Sequence, residues 1–131
     1  MNLTELAEAL PNGLHDAELS RWTVDYTART AVLEVDVWVA TAESPREWYR
    51  PARITLRELE YFVVDPPDSR YPFRNAETVT IDLAAEENGF APRALTAPAF
   101  RFFVSEWNAF IHAAAAGAEI EWLAPATPRG G

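Results

Sequence analysis

A histidine followed directly by an aspartate, His15-Asp16, is the pair in this sequence whose residue types could do chemistry. It follows the turn-forming residues Asn12-Gly13 and precedes an alternating segment that begins at Glu18. If the pair lies in a turn, the carboxylate can fix the imidazole tautomer, and the pair could bind a ligand or act as a base. If residue 15 already lies in a strand, the two side chains point to opposite faces and cannot form a dyad. The structural alternative is that Asp16 accepts backbone N–H bonds in the turn and His15 closes the end of the sheet. Both interpretations stay open from the residues alone.

The rest of the sequence contains no set of residues with catalytic spacing. The other histidine, His112, lies in an apolar segment, where a part-buried structural role is typical. With two histidines and no cysteine the chain has no zinc motif, and we expect no tightly bound transition metal. No serine lies in a Gly-x-Ser-x-Gly elbow, and no glycine-rich phosphate loop is present. We therefore expect neither a catalytic residue nor a cofactor.

Two proline-containing segments combine aromatic residues with arginine. The first covers residues 45–50 (Pro-Arg-Glu-Trp-Tyr-Arg), and the second covers residues 69–74 (Ser-Arg-Tyr-Pro-Phe-Arg). Trp, Tyr and Arg are the residue types most enriched at the energetic centres of protein interfaces. The alternative is that these rings fold back and cover the ends of the core. The candidate binding residues are Trp48, Tyr49, Arg50, Tyr71 and Arg74.

Composition predicts an acidic, cytoplasmic, globular protein. The 131 residues carry a formal charge of −9, and all eleven basic residues are arginine. An acidic surface repels phosphate backbones and anionic lipid, so we expect neither nucleic acid nor membrane as a partner, and a basic protein is favoured. The sequence shows no signal-peptide pattern and no apolar run of membrane-spanning length.

A short helix is predicted at the N-terminus. Asn2 and Glu5 form a capping-box pattern, and leucines then recur at helical spacing until Pro11. This pattern predicts a helix over residues 3–10, directly ahead of the His-Asp pair.

A hairpin is predicted over residues 18–39. Pairing positions whose numbers sum to 57 places Trp22 opposite Val35 on one face and charged residues on the other face. This register requires a four-residue loop over residues 27–30 and makes Trp22 a buried neighbour of Val35.

Residues 106–116 fit either a second helix or a strand. Ser105 as an N-cap, the run of alanines and the glycine at position 117 favour a helix. Phe110 and His112 share one face if the segment is a strand, and sheet pairing could override the local propensity.

The other segments in which apolar residues alternate predict further strands. The predicted fold is α+β, a largely antiparallel sheet of about six strands with an N-terminal helix. A bulge is expected near Glu58, where the apolar positions change from Ala52, Ile54 and Leu56 to Leu59, Tyr61 and Val63. Three long connections hold most of the prolines, and loops of this length are often functional.

One domain is predicted over residues 1–123, and residues 124–131 are predicted to be a disordered tail. The further strands are predicted over residues 52–64, 79–83, 100–104 and 118–123, and the long connections over residues 40–51, 65–76 and 85–98.

Two segments resemble sequences of a known kind. Residues 10–17, Leu-Pro-Asn-Gly-Leu-His-Asp-Ala, are similar to the N-terminal signature of small uncharacterised bacterial proteins, and residues 102–111 continue the likeness. Proteins with a related Leu-His-Asp start resemble immunity proteins of bacterial toxin systems, which bind and block a toxin and catalyse nothing. The resemblance implies a non-catalytic, toxin-neutralising interaction module. The alternative is a small-molecule or metal-binding protein, including a hydrolase, centred on His15 and Asp16.

Overall fold

The computed structural model of the chain describes residues 1–41, 48–70, 78–86 and 97–128. Within these ranges there are one short helix and eight strands, and six of the strands close into a barrel. The helix is α1 (Leu3–Glu8), and the strands are β1 (Pro11–Leu14), β2 (Ala17–Asp25), β3 (Thr30–Trp38), β4 (Trp48–Val64), β5 (Val79–Ala85), β6 (Ala99–Val104), β7 (Ala109–Trp122) and β8 (Thr127–Pro128).

The closed sheet consists of two three-stranded meanders joined edge to edge. Strands β2, β3 and β4 form the first meander, and β5, β6 and β7 form the second. The ring closes because β4 pairs with β7 and β2 pairs with β5, and every pairing is antiparallel. The predicted mainly antiparallel sheet with an N-terminal helix is confirmed. No helix in the described ranges is long and apolar enough to cross a membrane.

Helix α1 begins at the predicted capping box. The Asn2 side chain accepts a hydrogen bond from the Glu5 N–H at 2.9 Å, and the Glu5 carboxylate accepts one from the Asn2 N–H at 3.0 Å. Leu3 and Leu6 are at most 2 % exposed and belong to the core of the barrel. The Met1 carbonyl accepts a hydrogen bond from the Ala118 N–H at 2.8 Å, which holds the start of the helix against β7.

Apolar side chains of alternating residues fill the interior of the barrel. Ala31, Leu33, Val35 and Val37 of β3 are at most 3 % exposed, and the residues between them are half-buried. Each strand therefore has an inner and an outer face. Further fully buried side chains include Leu3, Ile54, Leu56, Ile81, Phe102, Val104 and Ile111.

The β2–β3 hairpin forms, but the predicted register is wrong by two residues. Trp22 is half-buried and lies opposite Leu33 rather than Val35, and residues 26–29 form the loop. The Asp25 carboxylate accepts hydrogen bonds from two backbone N–H groups of this loop at 3.0 and 2.9 Å, so the turn starts earlier than predicted. Because strand side chains alternate with a period of two, this shift preserves the faces of residues 21–25 and their partners in β3. A bulge between Leu19 and Arg21 moves the register by one further residue and turns Leu19, which is 2 % exposed, inward.

Residues 106–116 complete a turn and then form the first half of β7, so the helical alternative is wrong. Ala113 has a strand partner on each side, Phe62 in β4 and Phe100 in β6. These two ladders outweigh the helix propensity of the alanine run. Three consecutive alanines from Ala113 are at most 1 % exposed, so both faces of the strand are covered at this point.

The bulge expected near Glu58 is present in β4. Glu58 has a left-handed backbone with φ of 53°, and the register with β7 shifts between Leu59 and Tyr61. Leu59 is buried, as the parity change predicts, but Phe62 rather than Tyr61 is the next buried side chain. The register shift changes the inward-facing parity a second time.

The inward position of Ile54, which is 1 % exposed, leads to a stability prediction. Replacing Ile54 with Ala should lower the free energy of unfolding by about 2–5 kcal/mol, because it leaves a cavity in the barrel. Thr55→Ala changes the neighbouring outward side chain and should cost less than about 1 kcal/mol. Urea unfolding followed by tryptophan fluorescence measures both losses, and equal losses would contradict the assignment of the two faces.

Candidate functional site

His15 and Asp16 form the turn between β1 and β2, and their side chains converge there. Asp16 has a left-handed backbone with φ of 53°. The Nε2 atom of His15 lies 3.3 Å from Oδ2 of Asp16, and its Nδ1 atom lies 2.5 Å from Oδ1 of Asp82. Of the two alternatives that the sequence left open, the structure therefore shows the turn.

Asp82 of β5 is the member of this group that the sequence analysis missed. Its Oδ1 atom also accepts a hydrogen bond from the Asp16 N–H at 3.1 Å. The antiparallel pairing of Ala17 with Ile81 sets positions 16 and 82 side by side. Alternation along β5 predicts an outward side chain at position 82, but no local pattern indicates that β5 pairs with β2.

Tyr49 belongs to the same outer surface. It lies opposite Trp38 in the β3–β4 ladder, and its hydroxyl donates to the Asp16 carbonyl at 3.5 Å. The ring of His15 lies 6.0 Å from the ring of Trp38, measured between centroids. Tyr49 and the His-Asp pair, treated as separate candidates in the sequence, are therefore parts of one surface.

Carboxylates from three strands and from the turn lie on the same outer surface as these rings. Glu18 and Asp36 are register partners on the outer faces of β2 and β3, and Asp36 precedes Trp38 by two residues on the same face. The side chains of His15 and Asp16 are 61 % and 49 % exposed, so the turn is the accessible part of this surface, and its strand residues are half-buried. We call this surface the aromatic–acidic face, and it consists of His15, Asp16, Glu18, Asp36, Trp38, Tyr49 and Asp82.

Trp48 and Arg50 flank Tyr49 in β4 and, by alternation, belong to the opposite face. All three are half-buried strand residues rather than exposed anchors on a convex loop. Arg50 lies opposite the fully buried Val37, and its guanidinium carbon lies 4.5 Å from the centre of the Trp122 indole. The first aromatic–arginine segment is thus divided between the outer and inner surfaces of the barrel.

Tyr71 and Arg74 of the second aromatic–arginine segment lie outside the described residues, and their role stays a prediction. The start of that segment is described. The Arg70 guanidinium binds the Asp68 carboxylate at 2.8 Å. The hydrogen bonds that Arg70 donates to Asp68 hold the pKa of the Asp68 carboxyl well below its usual range.

A cleft of about 400 Å³ opens beside the aromatic–acidic face, next to α1 and β5. Glu8, His15 and Asp82 contribute polar atoms to its walls. Asn12 also lines it, but its amide donates to the carbonyls of Trp38 and Ala40 at 3.2 and 2.8 Å. Asn12 therefore holds β1 against the end of β3.

His112 lies in a separate cluster and is 8 % exposed. Its Nδ1 atom lies 2.7 Å from the Glu86 carboxylate, and its Nε2 atom lies 3.0 Å from the Asp65 carboxylate. Burial lowers the pKa of His112, but the hydrogen bonds to Glu86 and Asp65 outweigh burial and raise it. The imidazole thus links β7 to residues that directly follow β4 and β5, a structural role.

Comparison with known proteins finds no match among family models, curated proteins or solved structures. The resemblance to immunity proteins therefore depends on residues 10–17 and 102–111 alone.

The His112 cluster predicts how stability changes with pH. Because the folded-state pKa is raised, its stabilising contribution is fully present below the unfolded pKa of about 6.5 and is lost as the pH rises through the folded pKa. His112→Gln should lower the free energy of unfolding by about 1.5–3 kcal/mol at pH 5.5. The difference from the parent protein should shrink by pH 8.5.

Urea unfolding of both proteins across this pH range measures the difference. His15→Gln is the matched control: His15 also lies between two carboxylates, but it is 61 % exposed, so its loss should cost less than about 1 kcal/mol. A difference for His112→Gln that does not change with pH would contradict a charged imidazole between the two carboxylates.

Proposed function

We propose that this protein is a non-catalytic interaction module that binds a basic protein partner through the aromatic–acidic face. The observation that carries the proposal is the convergence of two aromatic rings, Trp38 and Tyr49, with carboxylates from the turn and from three strands. Among the described residues, Asp16 and Asp82 form ion pairs with His15 and with no arginine.

The chemistry of this face suits arginine and lysine side chains. Carboxylates accept bidentate hydrogen bonds from a guanidinium, and aromatic faces attract cations. The formal charge of −9 would steer a basic partner toward the protein before contact. The two rings and the carboxylates of Glu18, Asp36 and Asp82 are fixed on paired strands, so little conformational entropy would be lost on binding.

An immunity-type role is the specific form of this proposal. Proteins that act on nucleic acids carry basic surfaces, because they must bind phosphate backbones. An acidic module that covers such a surface would compete with the nucleic acid and neutralise a toxin of that class. The resemblance of residues 10–17 to toxin-neutralising proteins supports this form, and the acidic face supports the charge of the partner.

Loss of a ring or a carboxylate from this face should weaken partner binding. The partner is captured from native lysate on the immobilised protein, purified, and its affinity is measured for each variant. Tyr49→Ala should cost about 2 kcal/mol or more, and Asp82→Asn should weaken binding and reduce its dependence on salt. Glu121→Gln removes the same charge from an exposed position in β7 outside the face and should leave affinity unchanged.

Thermal melting of each variant separates loss of contact from loss of fold. Equal affinity of parent protein, Tyr49→Ala and Asp82→Asn would refute the proposed interface. If Glu121→Gln weakens binding as strongly as Asp82→Asn, the partner responds only to the net charge of the protein. That result would also contradict binding at a defined face.

Binding of a divalent cation is a second candidate function, and one geometric observation favours it. Potential ligand atoms of His15, Asp16 and Asp82 all lie within 4.8 Å of one another. Imidazole and carboxylate together suit first-row transition metals. The composition, with two histidines and no cysteine, had predicted no such ion, and the contribution of Asp82 to this group was not predicted.

Titration with zinc chloride tests this candidate. Calorimetry should show one saturable site, and cobalt or copper ions should quench Trp38 fluorescence because its ring lies near His15. Asp82→Asn should abolish binding, with Glu121→Gln as the control. No saturable binding to the parent protein would reject the metal site and leave the interaction proposal intact.

A further inference from the structure

A second site of different chemistry lies at one mouth of the barrel, on its inner side. A cleft of about 920 Å³ opens there, next to α1, the ends of β3 and β7 and the residues after β7. Its volume falls within the roughly 300–1,000 Å³ that is typical of small-molecule sites. The apolar part of its wall consists of Leu6, Leu10, Val39, Ala118, Ile120 and Trp122.

The cleft is a continuation of the barrel interior. Ala118, Ile120 and Trp122 alternate along β7, and their register partners in β4 are the buried residues Leu56, Ile54 and Ala52. Ala118 is buried, whereas Ile120 and Trp122 are half-buried. The inner face of β7 therefore passes from packed core to open apolar wall as the strand reaches the mouth.

Arg50 is a cation in the wall of this apolar cleft. It lies on the inner face of β4, its Nε atom donates to the Ala124 carbonyl at 2.9 Å, and its guanidinium lies against Trp122. Among the described residues, the two terminal amino groups of Arg50 make no hydrogen bond and no ion pair. Half-buried guanidinium groups are stabilised by anionic partners.

The other charged side chain at the cleft does not neutralise Arg50. Glu119 lines the rim, but its carboxylate forms an ion pair with Arg57 on the outer side of the sheet. The cleft thus combines an apolar wall with one cationic side chain whose terminal donors are available.

We propose that this cleft binds a small amphipathic carboxylate, an apolar chain that ends in one carboxylate. The carboxylate would accept two parallel hydrogen bonds from the terminal amino groups of Arg50. The chain would lie along Ile120 and Trp122 and displace water from the apolar wall. The site takes an anion on the inner surface, whereas the proposed protein partner binds by its cations on the outer surface, so either proposal can fail without the other.

Sodium dodecanoate, used below its micelle concentration, is the probe. Calorimetry should show saturable binding with one molecule per chain. The tryptophan fluorescence should change as well, because the bound probe alters the surroundings of Trp122. Arg50→Gln should weaken binding by at least about tenfold, because it removes the charge-assisted hydrogen bonds. Arg53→Gln is the matched control, since Arg53 lies three residues further along β4 on the outer face and pairs with Glu34 and Glu121.

Two further measurements keep the test decisive if Arg50→Gln disturbs the fold. Ala9→Phe adds a ring at the cleft from an exposed helix-end position and should block the probe while Arg50 is intact. Dodecyltrimethylammonium has the same chain with the opposite charge and should not bind. The proposal is overturned if dodecanoate does not saturate, if the cation binds equally well, or if Ala9→Phe leaves binding unchanged.

Discussion

Closure of the barrel depends on its shortest ladder, the three residue pairs that join β2 to β5. Ala17 and Ile81 are both fully buried at this seam, so their packing holds the two meanders together. The same seam carries Asp82 to the His15-Asp16 turn. A rearrangement here would open the core and separate the carboxylate from the imidazole at once, which makes the candidate site a direct product of closure.

Local chemistry accounts for what the sequence predicts correctly. The capping box at Asn2 and Glu5 needs only residues three apart, and the parity change near Glu58 can be read along one strand. Alternation also predicts the inner and outer faces of the β2–β3 hairpin from Arg21 to its turn, but not the bulge that turns Leu19 inward. The exact register fails because the Asp25 carboxylate starts the turn early, a competition between a side chain and the strand ladder.

Long-range pairing accounts for what the sequence does not predict. The alanine run after Phe110 has helix propensity, and only the two neighbouring strands make it β7. Asp82 has no motif of its own, and its meeting with His15 depends on a pairing between distant segments. Adjacent positions in β4 show the same limit, since Tyr49 reaches the outer surface and Arg50 the inner cleft only after the barrel has closed.

The order of the strands also sets how the chain must fold. Each meander joins strands that are neighbours in sequence, whereas the β4–β7 and β2–β5 ladders join segments that lie far apart. Closing long loops costs entropy before any contact compensates for it, so chains rich in such pairings fold slowly. We therefore expect each meander to form early and the docking of the two meanders to be the late, rate-limiting step. Until it occurs, β2, β4, β5 and β7 each expose an edge that could pair with another molecule.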